Sequence, residues 1–162
     1  MKHFRAFSIL TGVVTFAALA AATALASSSV AFTGTYAGKV TEKVNGDTIT
    51  ALASGTGKGT IVGTSKLSGT VTGTKANPPC SPLSGPGTIT GPKGKLKITV
   101  VSTSRGCAAS EEDQDSITLS GTAKVTGGTL KFKKARATLH FSGHYDRKSG
   151  SFNVKLTGKL TY

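Results

Sequence analysis

The chain has 162 residues, a formal net charge of +13 at neutral pH, 21 glycines and no tryptophan. This length suits a single domain, and the basic balance favours anionic partners. Aromatic residues, on which proteins stack the bases of single-stranded nucleic acid, make up 6% of the chain, so we do not expect a nucleic-acid partner.

Residues 1–26 have the pattern of a secretory signal peptide. Two basic residues precede an apolar run, which ends in the small-residue cleavage pattern Ala24-Leu25-Ala26. We predict cleavage before Ser27, which leaves residues 27–162 as one domain that is secreted or held in the cell envelope. The alternative is a retained membrane anchor, because the run is nearly long enough to span a bilayer. No second run of that length follows, so we expect no membrane span after cleavage.

The first half of the mature chain shows strand patterns separated by turn residues. Apolar and polar side chains alternate along Phe32–Thr41, which predicts a strand with one buried face. Asn45-Gly46-Asp47 is typical of a hairpin turn. We expect a short returning strand at Thr48–Ala53, a bent glycine-rich strand at Gly55–Gly63 and a further strand at Lys66–Thr74.

The middle of the chain is predicted to hold two loops around one strand, Gly94–Thr103. The proline-rich stretch Lys75–Pro86 contains Cys80, and Ser104–Asp115 contains Cys107 and an acidic run. An even number of cysteines in an exported chain indicates a disulfide, which would stabilise the fold by roughly 3–4 kcal/mol. A metal pair or a catalytic thiol is the alternative.

The last third of the chain has the clearest strand pattern. Strict alternation over Ile117–Thr126, Arg136–Tyr145 and Ser151–Tyr162 predicts three strands in series. With the earlier segments, about eight strands result, and no capped helical segment is found in the mature chain. We therefore predict an all-β fold, an antiparallel up-and-down barrel of about eight strands, with a two-sheet β-sandwich as the alternative.

The segment before the strand at Arg136 carries a recognisable pattern. Its matching residues are Gly127, Gly128, Thr129, Phe132 and Ala135. It resembles the Gly-Gly-Thr-Gly-x-Phe-x-Gly-Ala-x-Gly stretch of the allene oxide cyclase and dirigent-like β-barrel superfamily, which has bacterial secreted members. Leu130, Lys134 and Ala137 stand where that family has glycine. The resemblance implies an eight-stranded barrel with a central cavity, often oligomeric, in which enzymes steer cyclisation or coupling of a hydrophobic intermediate.

Glu42 and Tyr36 are the candidate catalytic residues, because Glu42 is the acidic residue on a predicted strand and lies in phase with Tyr36. They could act as a general acid or base and a hydrogen-bond donor at the mouth of the barrel. The alternative is a solvated carboxylate and a tyrosine packed in the core.

Other patterns do not predict a site. His140 and His144 lie too far apart along one strand face to bind one metal ion, and Glu111–Asp115 lacks the spacing and the glycine of a calcium loop. In Gly55–Thr60, Gly59 follows Lys58 where a phosphate-binding loop has serine or threonine, and no helix follows. We expect no metal ion and no cofactor.

The sequence leads to two hypotheses of function. The first is a secreted, non-catalytic barrel that binds a small hydrophobic ligand in its cavity or an anionic cell-envelope polymer on its basic surface. The second is a dirigent- or cyclase-like enzyme. A buried inward carboxylate beside an open cavity would favour the enzyme. A structural or surface-binding protein would instead have its cavity plugged by Phe32, Phe141, Phe152 and Leu156. The sequence does not predict the oligomeric state.

Overall fold

The computed structural model describes residues 29–74, 79–110 and 112–162; the predicted signal peptide lies outside these ranges. Eight strands follow one another in antiparallel order, and β1 closes the barrel by pairing with β8. The strands are β1 (Ser29–Asn45), β2 (Thr48–Gly59), β3 (Gly63–Thr74), β4 (Cys80–Gly91), β5 (Gly94–Ala108), β6 (Ser116–Gly128), β7 (Arg136–Asp146) and β8 (Ser151–Thr161). The predicted eight-stranded up-and-down barrel is confirmed, and the sandwich alternative is not adopted.

Side chains alternate between the interior of the barrel and solvent, as the two-residue period predicts. In β1, Phe32 and Tyr36 are buried, whereas Thr33 and Thr35 are exposed. No helix in the described part of the chain is long and apolar enough to cross a membrane.

The two ends of the barrel differ. At one end, which we call the packed end, the β2–β3 turn places Ile61 and Val62 in the interior. A 3₁₀ turn (Leu130–Phe132) between β6 and β7 adds Phe132, which is fully buried. The strands contribute further buried side chains to this end: Phe32, Tyr36, Ile89, Leu96, Leu139 and Leu160. The other end, the open end, carries the β1–β2 turn, the β5–β6 loop and the β7–β8 turn.

Three of the predicted assignments were wrong. The predicted loop Ser104–Asp115 begins inside a strand, because β5 continues to Ala108. Thr48–Gly59 is one continuous strand rather than two, because β2 pairs with β1 and β3 along its whole length. The proline-rich segment that was predicted to be a loop forms β4. Pro82 and Pro86 have partners in β5 but none in β3: the β3–β4 register skips Pro86 and ends at Leu83, before Pro82. A proline is tolerated in a sheet where the ladder is broken, because no hydrogen bond requires its missing N–H.

The predicted disulfide is present, although its cysteines lie in strands rather than in loops. Cys80 begins β4 and Cys107 lies near the end of β5, and the two are Cα partners in the β4–β5 ladder. Their sulfur atoms are 2.07 Å apart. The bond therefore joins neighbouring strands at the open end.

The close approach of β1 and β2 requires glycine at one pair of positions. Gly38 and Gly55 are Cα partners. A Cβ atom at Gly38 would collide with the carbonyl oxygen of Ser54, and one at Gly55 would collide with that of Ala37. A larger residue at either position would push the two strands apart, which explains why glycine occupies interior positions of these strands.

Candidate functional site

A cavity of about 640 Å³ occupies the interior of the barrel towards its open end. This volume lies within the range of small-molecule binding sites, roughly 300–1,000 Å³. The lining is mostly aliphatic and aromatic, and its larger side chains include Val40, Val71, Leu83, Ile98, Leu119 and Phe141. The site is therefore suited to an apolar molecule.

The cavity exists because small residues take interior positions towards the open end. These residues are Ala51, Ala53, Gly69, Gly73, Gly87, Gly106 and Ala123. At the packed end, the equivalent interior positions carry large side chains such as Phe32, Tyr36 and Leu139. Since all eight strands continue past the large residues, the open half of the barrel encloses a space that its own side chains do not fill.

The four large side chains that could plug the interior do not do so. Phe32 belongs to the packed end and does not line the cavity. Phe141, Phe152 and Leu156 form part of the cavity wall. The plugged cavity that would have favoured a structural or surface-binding protein is therefore not present.

Three polar side chains meet in this cavity: Glu42 from β1, Tyr145 from β7 and Arg147 from the β7–β8 turn. The Arg147 Nε atom lies 3.3 Å from the Glu42 carboxylate, and the two side chains are 35% and 20% exposed. A terminal nitrogen of the guanidinium donates a hydrogen bond to the carbonyl oxygen of Gln114 at 2.9 Å. The backbone N–H of Arg147 donates to the carbonyl oxygen of Asp115 at 2.8 Å. These bonds fix the cation beside the carboxylate.

The unequal lengths of the strands bring Glu42 and Arg147 together. The β1–β8 pairing ends at Lys39 and Ser151, but β1 continues to Asn45. The next backbone contact of β1 is the hydrogen bond from the Val40 N–H to the Gly150 carbonyl oxygen in the β7–β8 turn, 2.8 Å long. Glu42 therefore lies against this turn rather than against β8.

The environment of Tyr145 keeps its phenol protonated. Burial raises the pKa of Tyr145, the nearby Glu42 carboxylate raises it further, and Arg147 opposes this effect. Because the phenol lies within hydrogen-bonding reach of Glu42, a neutral hydroxyl can donate to the carboxylate. The cavity thus offers a carboxylate, a hydroxyl and a guanidinium at one place.

Tyr36, the other sequence-predicted candidate, does not join Glu42. It is fully buried at the packed end, and its hydroxyl lies 3.0 Å from Ser65 Oγ. Burial raises the pKa of Tyr36, and the hydrogen bond with Ser65 partly offsets that effect. The structure therefore places the two candidates in different parts of the barrel, and Tyr145 and Arg147 are the partners of Glu42 that the sequence did not reveal.

The residues that carry the family resemblance help to close the packed end. Thr129 exchanges backbone and side-chain hydrogen bonds with Lys95, each 3.0 Å long. Phe132 and Ala135 are fully buried. Gly127 has a φ of +143°, a conformation that favours glycine. None of the five matching residues lines the cavity.

The remaining polar candidates do not form a site. His140 is exposed and His144 is half-buried, both on the outward positions of β7. In residues 29–74, 79–110 and 112–162, no group of three or more histidine, cysteine and acidic side chains could hold a metal ion.

No family model, curated protein or solved structure matches the chain.

Proposed function

We propose that the protein is an exported β-barrel that binds a small hydrophobic molecule in its cavity without altering it. The observation that carries this proposal is the apolar cavity of about 640 Å³. The disulfide and the signal-like N-terminal sequence support an oxidising compartment outside the cytosol.

The proposed ligand has an apolar body and one polar end. An apolar body fits a wall built mainly from aliphatic and aromatic side chains. A hydroxyl or carbonyl group at its end would reach Glu42, Tyr145 and Arg147, which supply both donors and an acceptor. An all-hydrocarbon ligand would offer no hydrogen-bonding atom to these three side chains.

A substitution that fills the cavity tests this proposal. Ala53 lines the cavity, whereas its neighbour Leu52 faces outward and is 43% exposed. Ala53→Phe should weaken binding of the neutral fluorescent probe N-phenyl-1-naphthylamine by roughly tenfold or more, because the ring takes up ligand space. Leu52→Phe, the matched control, should bind the probe like the unmodified protein. Probe titrations of the three proteins provide the measurement.

Thermal unfolding of the same variants separates a blocked cavity from a damaged fold. The Ala53→Phe ring enters an apolar space that the barrel encloses, so we expect a melting temperature close to that of the Leu52→Phe control. Equal probe affinity in both variants, with both folded, would show that the probe does not bind in the cavity and would contradict the proposal.

An enzyme that acts on a hydrophobic intermediate is the second candidate function, and one observation favours it. Glu42 is a largely buried carboxylate within reach of a neutral phenol in an apolar cavity, and this arrangement can transfer protons. The resemblance to cyclases and dirigent-like proteins agrees with such a role. The pair could protonate or deprotonate a bound intermediate while the cavity wall restricts its conformation.

Glu42→Gln distinguishes the two functions. The amide keeps the size of the side chain but cannot act as a base. Native mass spectrometry of the exported protein would identify a retained molecule, and chromatography would follow its conversion by both forms. If the unmodified protein is a catalyst that uses Glu42, conversion should fall by about 100-fold or more in the variant. Equal conversion in both forms would exclude Glu42 as the catalytic residue.

A further inference from the structure

The acidic residues of the described chain are confined to one end of the barrel, whereas basic residues occur at both ends. The acidic residues of the described chain all lie on the open end, in β1, the β1–β2 turn, the β5–β6 loop and the end of β7. They are Glu42, Asp47, Glu112, Asp113, Asp115 and Asp146. The sequence alone, in which charges of both signs recur along the chain, does not reveal this separation.

In the described chain, every charged side chain of the packed half is positive. Its cations are Lys58, Lys66, Lys93, Lys95, Lys97, Lys124, Lys131, Lys133, Lys134, Arg136 and Lys159. All are exposed. The ion pairs found among the described residues, Arg147 with Glu42 and Lys148 with Asp115, both lie at the open end. The positive electrostatic potential of the packed end is therefore not neutralised by neighbouring carboxylate side chains, and it attracts polyanions and anionic surfaces.

An apolar side chain projects from this cationic end. Leu130 is 77% exposed at the tip of the β6–β7 connection, and Lys131, Lys133 and Lys134 follow it. Its φ of +51° is the one left-handed value at a non-glycine residue in the described chain. A leucine in this conformation is both strained and solvated, and neither condition stabilises the isolated barrel.

The cations beside Leu130 continue along the outer face of the neighbouring strands. Lys124 is paired with Thr138, and Thr138 with Lys159, so these residues form one row across β6, β7 and β8. Arg136 lies beside this row, and the four residues line a shallow depression. The β6–β8 side of the packed end thus combines the exposed leucine with a continuous cationic surface.

We propose that the packed end docks on an anionic phospholipid bilayer. Lysines and Arg136 contact the headgroups, and Leu130 enters the boundary between headgroups and acyl chains. A polyanion dissolved in water would satisfy the lysines but would offer no apolar phase to the leucine, whereas an anionic bilayer offers both. All carboxylate side chains of the described chain lie at the open end, so an anionic surface favours the orientation in which the cavity mouth faces away from the membrane.

This docking surface is independent of the proposed ligand site, because the two lie at opposite ends of the barrel. Failure of one proposal therefore leaves the other intact. The docking test uses the protein processed and secreted by an exporting host, with its N-terminus determined by mass spectrometry. Co-sedimentation with vesicles of equimolar phosphatidylglycerol and phosphatidylcholine measures the partition coefficient. Vesicles of phosphatidylcholine alone are the reference.

Leu130→Asn tests the apolar contact. We expect the partition coefficient on the mixed vesicles to fall by about tenfold, since a buried leucine side chain is lost from the bilayer contact. Asparagine adopts left-handed backbone conformations more readily than leucine, so the variant should melt no lower than the unmodified protein. A loss of binding with unchanged stability would support the proposal and cannot be attributed to misfolding.

Two double variants of equal net charge test the location of the cationic contact. Lys133→Ser with Lys134→Ser removes two charges at the packed end. Lys43→Ser with Lys155→Ser removes two exposed charges, one at the open end and one midway along β8. The first pair should lower the partition coefficient by roughly tenfold or more, and the second should change it little.

Three results would overturn the proposal. The first is equal binding to phosphatidylcholine alone, and the second is an equal loss in the two double variants. The third is unchanged vesicle binding by Leu130→Asn together with displacement by soluble polyphosphate, which would indicate a polymer ligand instead of a bilayer.

Discussion

At the scale of single residues, the hydrogen bond between the hydroxyl groups of Tyr36 and Ser65 at the packed end has a fixed donor and acceptor. The Ser65 hydroxyl donates its proton to the carbonyl oxygen of Gly63 at 3.1 Å. The 3.0 Å bond between Tyr36 and Ser65 must then be donated by the tyrosine, because a serine hydroxyl has one proton. Tyr36 is fully buried and Ser65 is 5% exposed, so Ser65 is the acceptor that the phenol needs.

This direction predicts unequal effects of removing the two partners. Ser65→Ala leaves a buried phenol without an acceptor and should lower the free energy of unfolding by about 1–3 kcal/mol. Tyr36→Phe leaves Ser65 bonded to Gly63 and should lower it by about 1 kcal/mol. Urea unfolding at neutral pH measures both values, and a larger loss for Tyr36→Phe would contradict the assigned direction.

The buried phenol of Tyr36 also makes the free energy of unfolding depend on pH. Because the pKa of Tyr36 is raised in the folded state, the phenol contributes stability below its unfolded value of about 10, and this contribution is lost as the pH rises further. Repeating the unfolding series under alkaline conditions should therefore bring Tyr36→Phe closer to the unmodified protein.

At the scale of elements, the β4–β5 hairpin combines an irregular strand with a covalent bond. The pairing of β4 with β3 is interrupted around Gly85 and Pro86, and its register with β5 shifts between Leu83 and Gly85. The disulfide closes a sequence separation of 27 residues at the end of this hairpin. It therefore holds β4 to β5 where the pairing of β4 is irregular.

Removing the disulfide should destabilise the barrel without changing its topology. The double substitution Cys80→Ser and Cys107→Ser is expected to lower the free energy of unfolding by about 3 kcal/mol, because the unfolded chain gains the entropy of an open loop. Urea unfolding with and without a reductant measures this effect. Reductant should destabilise the unmodified protein and leave the variant unchanged. A variant as stable as the oxidised protein would show that the ladder alone holds the hairpin.

At the scale of the whole molecule, the half of the barrel at the packed end and the half at the open end have different interiors. Large side chains and the inserted β2–β3 and β6–β7 connections fill one half, and small interior residues leave a cavity in the other. The packed half supplies the hydrophobic stabilisation of the fold, so that the open half can retain a cavity that a fully packed core would not contain. The carboxylate side chains of the described chain all lie in the open half, whereas basic side chains occur in both halves.

The predicted elements show why sequence patterns succeeded for some strands and failed for others. β7 and β8 alternate strictly, and a one-residue slip would expose the whole apolar face, so their positions follow from the sequence. β4 has prolines and glycines where alternation would be expected. Its extended form depends on ladder contacts with β5, which no local pattern predicts.

The candidate site was predictable only in part. The phase of Glu42 within β1 indicated that its side chain points inward, and the structure places it in the cavity wall. Its partner Arg147 lies in a turn far away in sequence, and it reaches Glu42 because β1 extends beyond the start of β8. That overhang follows from the closure of the barrel, so the neighbouring sequence of neither residue reveals the pair.

The sequence by itself determined the all-β class, the inward phase of most strands and the pairing of the two cysteines. These properties follow from a two-residue period and from a single available disulfide partner. Tertiary structure alone decided which end is filled, where the cavity lies, which side chains meet Glu42 and how the charges separate. The reason is that antiparallel strands alternate in direction, so residues distant in sequence gather at one end only when the sheet closes on itself.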